Sequence, residues 1–192
     1  MTRPRKRIPE HGRMAFKGIL FEVWQWEQEM FDGSTSTFER LKRPDTAQVI
    51  ATVGDKILSL MQKQPDSTQA FPSIPGGRCD EREEPLASAK RELLEETGYT
   101  SDDWRLWKET EPFSKMEWTV YTYIARNCTK VQEPHLDAGE KIELKLISFD
   151  ELLALTDADD FYDRELVEPL LRARYSESEK QKLFALFFGD GQ

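Results

Sequence analysis

Apolar residues gather into short clusters divided by Gly, Pro and Asp, and the spacing within each cluster identifies the element it builds. From Phe16 to Trp26, FKGILFEVWQW, aromatic and β-branched residues are dense enough to predict a strand. Asp32-Gly33 begins a turn, and Thr37 to Lys42 reads as the returning partner. Ala47 to Val53 and Lys56 to Met61 flank Gly54-Asp55, a two-residue turn of the kind that closes hairpins. Polar Gln62 to Ala70, which contains Pro65, predicts a loop, and Phe71 to Ile74 a short strand feeding Pro75-Gly76-Gly77.

Here the period lengthens. Residues Gly77 to Tyr99, GRCDEREEPLASAKRELLEETGY, read as a loop running into a helix. Pro85 suits the first helical turn, where its missing N–H is no loss, and Gly98 suits the position past the end. The helix is thus about fourteen residues, or roughly four turns. At about 100° per residue, Glu92, Glu95 and Glu96 fall within an arc of roughly 100°. Leu86, Ala87, Leu93 and Leu94 point to the other side, so the leucines are expected on a core and the glutamates toward a cleft. Lys90 lies within the apolar arc and must extend its ammonium past it.

Trp104 to Lys108 and Val120 to Ala125 then read as strands around a loop at Pro112, and Ile142 to Ile147 as another. Ser148 to Glu151, SFDE, has capping-box spacing and starts a helix through about Leu155. Ser176 to Glu179, SESE, repeats the device before Lys180 to Phe188, and Arg164 to Arg174 between them is helical. Strands, helix, strands, helices make a mixed α/β pattern. Met1 to Met14, with Arg3, Arg5, Lys6, Arg7, Arg13 and two prolines, reads as a basic flexible tail ahead of a single domain over 15–192.

Composition narrows the class. The 192 residues are 38% hydrophobic and 33% charged, enough apolar content for a folded domain and too much for a disordered chain. No apolar run reaches membrane-span length, and the N-terminus lacks the apolar stretch of a signal peptide. Cys79 and Cys128 have no metal-type spacing and are expected as free thiols in a reducing, cytoplasmic compartment. His11 and His135 are the only histidines, which argues against a histidine-based metal site or triad. A net charge of −9 argues against nonspecific nucleic-acid binding, and an anionic substrate would need local positive charge, for which bound metal is the natural source.

A run of glutamates is most often a solvated helix face. Glu92 and Glu96, however, form a like-charge i,i+4 pair that costs about 0.2–0.5 kcal/mol and sits at the helix end where the macrodipole disfavours anions. A divalent cation reverses that penalty, and grouped carboxylates with substrate phosphate are what magnesium takes.

These residues resemble the signature box of the Nudix hydrolases. Gly77, Glu83, Arg91, Glu92, Leu93, Glu95, Glu96 and Gly98 all fit its spacing, and only Tyr99, aromatic where an aliphatic is expected, departs. A chance match anywhere in the chain is on the order of one in a million at average residue usage. The resemblance implies an α/β/α sandwich with a mixed sheet, here with an N-terminal β extension and C-terminal helices. It also implies hydrolysis of a nucleoside diphosphate linked to another moiety, with Mg2+ or Mn2+ as cofactor. Carried over residue by residue, Glu92 and Glu96 are the principal metal ligands, Glu95 is a further ligand or a group bonded to the ligands, and Gly76 offers its carbonyl. Arg91 orients the box carboxylates, Glu83 fixes the loop against Arg91, and Gly77 permits a bend. The base that activates water is Glu92 in some relatives and an acidic loop residue in others. Glu133, Asp137 and Glu140 lie in such a loop, with Glu140 the preferred one.

The stretch TFERLKRPDTAQVIATV and the helical end resemble the branch that cleaves ADP-ribose and related nucleotide sugars. That branch often places an arginine at the end of the hairpin strand, where Gln62-Lys63-Gln64 offers a lysine. Trp24, Trp26 and Trp118 can stack on a base, although each alone is more often a core or interface aromatic. A homodimer exchanging N-terminal strands is the assembly the branch suggests. Two other readings stay open: a hydrolase of nucleoside triphosphates or RNA ends, and a catalytically silent nucleotide-binding regulator, against which the whole glutamate set stands.

Overall fold

A computed structural model of the protein describes residues 7–189. Its elements begin with β1 (Arg13–Lys17), β2 (Glu22–Glu29), β3 (Thr35–Lys42), β4 (Thr46–Val53), β5 (Lys56–Lys63), β6 (Phe71–Ser73), β7 (Gly76–Arg78) and α1 (Pro85–Thr97). Then come β8 (Tyr99–Thr100), β9 (Asp103–Thr110), β10 (Met116–Glu117), β11 (Val120–Arg126), β12 (Thr129–Lys130), β13 (Lys141–Ile147), α2 (Phe149–Ala154), α3 (Arg164–Tyr175) and α4 (Glu177–Phe188).

The central sheet runs β13-β5-β4-β11-β9, with β6 paired to β5 and β7 to β4. Its middle pair is parallel, from Val120 opposite Thr46 to Ala125 opposite Ala51, while the flanking pairs are antiparallel. Both faces of β4 and β11 are covered, which is why these strands are buried along nearly their whole length and do not alternate. Ala47, Val49 and Ala51 pack with Ala89 and Leu93 of α1 on one side. Ile50 joins Phe149, Leu166, Leu170 and Phe187 of α2 to α4 on the other. This is the mixed α/β/α sandwich expected, with β1-β2-β3-β10 as the N-terminal sheet.

The strand expected over Phe16 to Trp26 is two strands. The Gly18 N–H donates to the Phe21 carbonyl at 2.8 Å, so the chain reverses there, and β1 pairs with β2 from Lys17 opposite Glu22. Arg13 and Met14, assigned to the basic tail, belong to β1, and the Ile8 N–H donates to Glu117 at 2.9 Å. Residues 1–6 of that tail lie outside the described residues. The hairpin at Gly54 forms, with Gly54 at φ +57°, but β4 and β5 pair only at Thr52–Ile57 and Val53–Lys56. They then splay, β4 toward β7 and β11, β5 toward β6 and β13.

The caps read from sequence form. Ser148 and Glu151 close a reciprocal capping box on α2, and the Ser176 side chain accepts from the Glu179 N–H. Pro169 sits inside α3, where it cannot donate to the carbonyl four residues back. Lys108 Nζ supplies that missing donor to the Glu165 carbonyl at 3.1 Å, so the helix continues through the proline.

Candidate active site

The site begins with the two glycines. Gly77 was expected to permit a bend in a loop, yet it lies in β7, which pairs with β4 from Thr46–Arg78 to Gln48–Gly76. Each glycine answers a close approach. A Cβ on Gly76 would meet the Ala47 carbonyl and Gln48 Cα at 2.6 Å, and a Cβ on Gly77 would fall on the Glu92 carboxylate. The pair lets the strand lie against both the central sheet and the helix.

Helix α1 spans Pro85–Thr97, with Pro85 in its first turn and Gly98 left-handed at its end, φ +74°. Its buried face differs from the one drawn by periodicity. Leu93 is buried, but Leu86 is 36% exposed and Ala87 is also exposed, whereas Ser88, Ala89, Glu96 and Thr97 are buried. Small residues at 88 and 89 let the helix sit close to the sheet, which rotates the packed stripe toward Glu96. Lys90 is exposed, as expected, with its ammonium 5.7 Å from the centre of the Trp104 ring.

Arg91 organises the carboxylates. Its Nε and Nη2 grip both oxygens of Glu83 at 3.0 and 2.9 Å, and its Nη1 donates to Glu92 at 2.8 Å and Glu95 at 3.0 Å. Nη2 also reaches the Arg78 carbonyl at 3.2 Å, tying helix to strand. The two-pronged contact with Arg91 holds the Glu83 carboxyl down at about 2, well under its ordinary 4.5. One guanidinium therefore faces Glu83, Glu92 and Glu95, and the site keeps an excess of negative charge.

Glu96 is 3% exposed, and its Oε2 accepts from the Gly76 N–H at 2.8 Å. Burial pushes its carboxyl well above the ordinary range, reinforced by the nearby charges of Glu92, Glu140 and Asp163. Burial likewise raises Glu92, against the pull of Arg91. Helical winding does place Glu92, Glu95 and Glu96 along one side, but their side chains turn to internal partners, Arg91 and the Gly76 N–H. Among the described residues no three acidic, histidine or cysteine side chains form a closed metal cage. The donor chemistry nonetheless fits a hard divalent cation: carboxylate oxygens in excess of positive charge, one of them buried against a single N–H.

Of the loop acids, Glu140 is the one whose charge bears on both Glu92 and Glu96. It is held by Asp137, whose N–H donates to Glu140 Oε2 at 3.2 Å, while Glu133 is paired outward with Lys130 at 2.8 Å. The same loop is fastened to α1 through the His135 N–H, which donates to the Glu95 carbonyl at 2.7 Å. Asp163 was missed in the sequence. It precedes α3 but does not cap it; its Oδ2 accepts from the Ile74 N–H at 2.8 Å, fully buried beside the strand that enters the box. Its position just before a helix is a signal for a cap, and nothing local points to Ile74.

Trp118 lies beside the box strand: its Nε1 donates to Thr46, which pairs with Arg78, and the Arg43 guanidinium sits 4.5 Å from its ring centre. Trp24 donates to Glu22 within the N-terminal sheet, where Trp26 packs against Phe38. Lys63 ends β5 opposite Lys141. Cys79 and Cys128 are free and buried, and burial pushes the Cys128 thiol up to about 12. Among the described residues no helix is long and apolar enough to cross a membrane.

A glycine strand packed on a carboxylate-bearing helix, with one arginine bonded to Glu83, Glu92 and Glu95, is the arrangement of a pyrophosphohydrolase. Residues 42–169 match the NUDIX domain, and the chain belongs to the Nudix family. It is 28% identical over 153 residues to the ADP-ribose pyrophosphatase of Bacillus subtilis (strain 168), covering 77% of this chain and 82% of that protein. It is also 28% identical over 171 residues to the methanol dehydrogenase activator of Bacillus methanolicus, covering 87% of this chain and 92% of the relative. The crystal structure of an ADP compounds hydrolase shares the fold at TM-score 0.71 and 20% identity, covering 95% of this chain and 98% of that one.

Proposed function

We propose that this Nudix pyrophosphohydrolase uses magnesium, or manganese in its place, to cleave the pyrophosphate of a nucleoside diphosphate joined to a sugar, with ADP-ribose foremost. The observation that carries this reading is Glu96, a buried carboxylate set against the Gly76 N–H beside Glu92, with negative charge in excess all around. The Bacillus subtilis relative supports the substrate class.

Glu92, Glu95, Glu96 and the Gly76 carbonyl would hold the cation. When bound, it supplies charge neutralisation at the phosphate oxygens and acidifies a water. The chain's own residues do the remainder. Arg91 keeps Glu92 and Glu95 oriented, Glu83 anchors Arg91, and β7 fixes the Gly76 backbone against Glu96. Glu140, whose charge reaches Glu92 and Glu96, takes the proton of the attacking water, with Glu92 as the competing base. A panel of nucleoside diphosphate compounds with products identified tests the reading: a nucleoside monophosphate plus a sugar phosphate is expected, and release of pyrophosphate from a nucleoside triphosphate would overturn it.

A second reading, as an activator of another enzyme, draws on the Bacillus methanolicus relative. Nucleotide binding without metal-dependent turnover across the same panel would select it.

A further inference from the structure

The N-terminal sheet contains a cationic pocket that the box does not use. It is a cavity of about 360 Å³, lined by Trp26, Phe38, Arg40, Ser114 and Lys115 among others, none of them from β7 or α1. Arg40 is 8% exposed, and its Nε and Nη1 are buried with no hydrogen-bond partner among the described residues. Its guanidinium lies 5.7 Å from the centre of the Trp26 ring, while Lys115 Nζ lies 5.5 Å from that of Phe38. Trp26 and Phe38 are themselves in contact, centroids 6.0 Å apart, so two cations rest on one aromatic wall.

The carboxylate lining this pocket is Glu39, and it is already engaged: its Oε2 accepts from Gln25 Nε2 at 2.9 Å. Arg7, also in the lining, keeps an ion pair with Glu117 at 3.9 Å. A ring face compensates a buried guanidinium only in part, and leaving its N–H groups unpaired is costly. Such a cost is offset when an anion enters.

We propose that this pocket is a binding site for a phosphate monoester, separate from the hydrolytic centre. The unpartnered Nε and Nη1 of Arg40 sit on different edges of the guanidinium, and either can donate to a phosphate oxygen, while Lys115 and Ser114 offer a further charge and a hydroxyl. The volume left over accommodates a group attached to the phosphate. This assignment does not depend on which compound the box cleaves.

Thermal unfolding of the full chain in metal-free buffer tests it, with inorganic phosphate and a nucleoside monophosphate as probes. The wild-type midpoint should rise by about 5–10 °C at a hundredfold excess over Kd. Arg40→Met should melt higher than wild type without probe and gain nothing from it, and Lys115→Met should need about tenfold more probe for the same rise. Should Arg40→Met fail to fold, Lys115→Met decides. Equal probe-dependent shifts in wild type and variants, or no shift in wild type, would overturn the site. A raised KM for the box substrate in Arg40→Met would overturn its separateness and make the pocket an arm of the substrate cleft.

Discussion

Arg91 is partly exposed and Arg40 is buried, yet Arg91 donates to Glu83, Glu92, Glu95 and the Arg78 carbonyl, whereas Nε and Nη1 of Arg40 find no hydrogen-bond partner among the described residues. The partners of Arg91 come from the same loop and helix, so the box carries its own counter-charge and still has carboxylates to spare. The pocket on the N-terminal sheet sets Arg40 and Lys115 on aromatic faces, and the carboxylate in its lining, Glu39, accepts from Gln25. The box keeps carboxylates in excess of its one guanidinium, whereas at the pocket it is a guanidinium that lacks a partner, in a protein of net charge −9.

The sharpest way to break this comparison is to remove the spare negative charge. Glu96→Gln keeps an oxygen to accept from Gly76, so the fold should hold while kcat at saturating magnesium falls about 10²–10³-fold. Unchanged turnover would take Glu96 out of the cation's ligands. Arg91→Met leaves Glu83, Glu92 and Glu95 facing one another and should cost about 2–3 kcal/mol in urea unfolding, below the range for fully buried pairs because Arg91 remains partly exposed. Loss of stability in Arg91→Met and gain in Arg40→Met would sharpen the contrast; losses in both would dissolve it.

Proton linkage gives a smaller test. Glu83, held at about 2, adds stability that is whole above its unfolded value near 4.5 and is lost as pH falls toward 2. Unfolding followed from about pH 5.5 to pH 3.5 should show less loss in Glu83→Gln than in wild type. Glu96 is shifted upward, so it favours the folded state when protonated, and metal-free protein should lose stability as pH rises above the ordinary carboxyl range. Glu96→Gln should remove that decline. Smallest of all, Lys108→Met strips the donor from the Glu165 carbonyl and should cost about 1 kcal/mol in the same unfolding assay.

Where a few neighbouring residues determine an element, sequence reading found it. The Gly54 turn, the Ser148 capping box and the Pro85-to-Gly98 helix needed no distant partner. What escaped depended on contacts across the fold. Gly18 reads like any strand residue until its N–H meets Phe21, and Leu86 looks like core until small side chains at 88 and 89 set the helix's roll. Gly77 reads as a loop bend because the carboxylate occupying its missing Cβ belongs to a residue fifteen positions on, Glu92. Asp163 reaches back to Ile74, and the isolation of Arg40 is a property of the cavity, invisible along the chain. The family was legible because the spacing of its box is local; the orientation of the box side chains was not.

The parallel pairing of β4 with β11 bridges sequence separations of 74, as between Gln48 and Thr122. Since β7 leans on β4, and Glu96 on β7, the glutamates cannot reach their places until those distant stretches have met. Closure over such a span is slow compared with winding a helix. On dilution from denaturant, helical ellipticity should thus recover ahead of hydrolysis, with hydrolytic power returning only in the final kinetic phase.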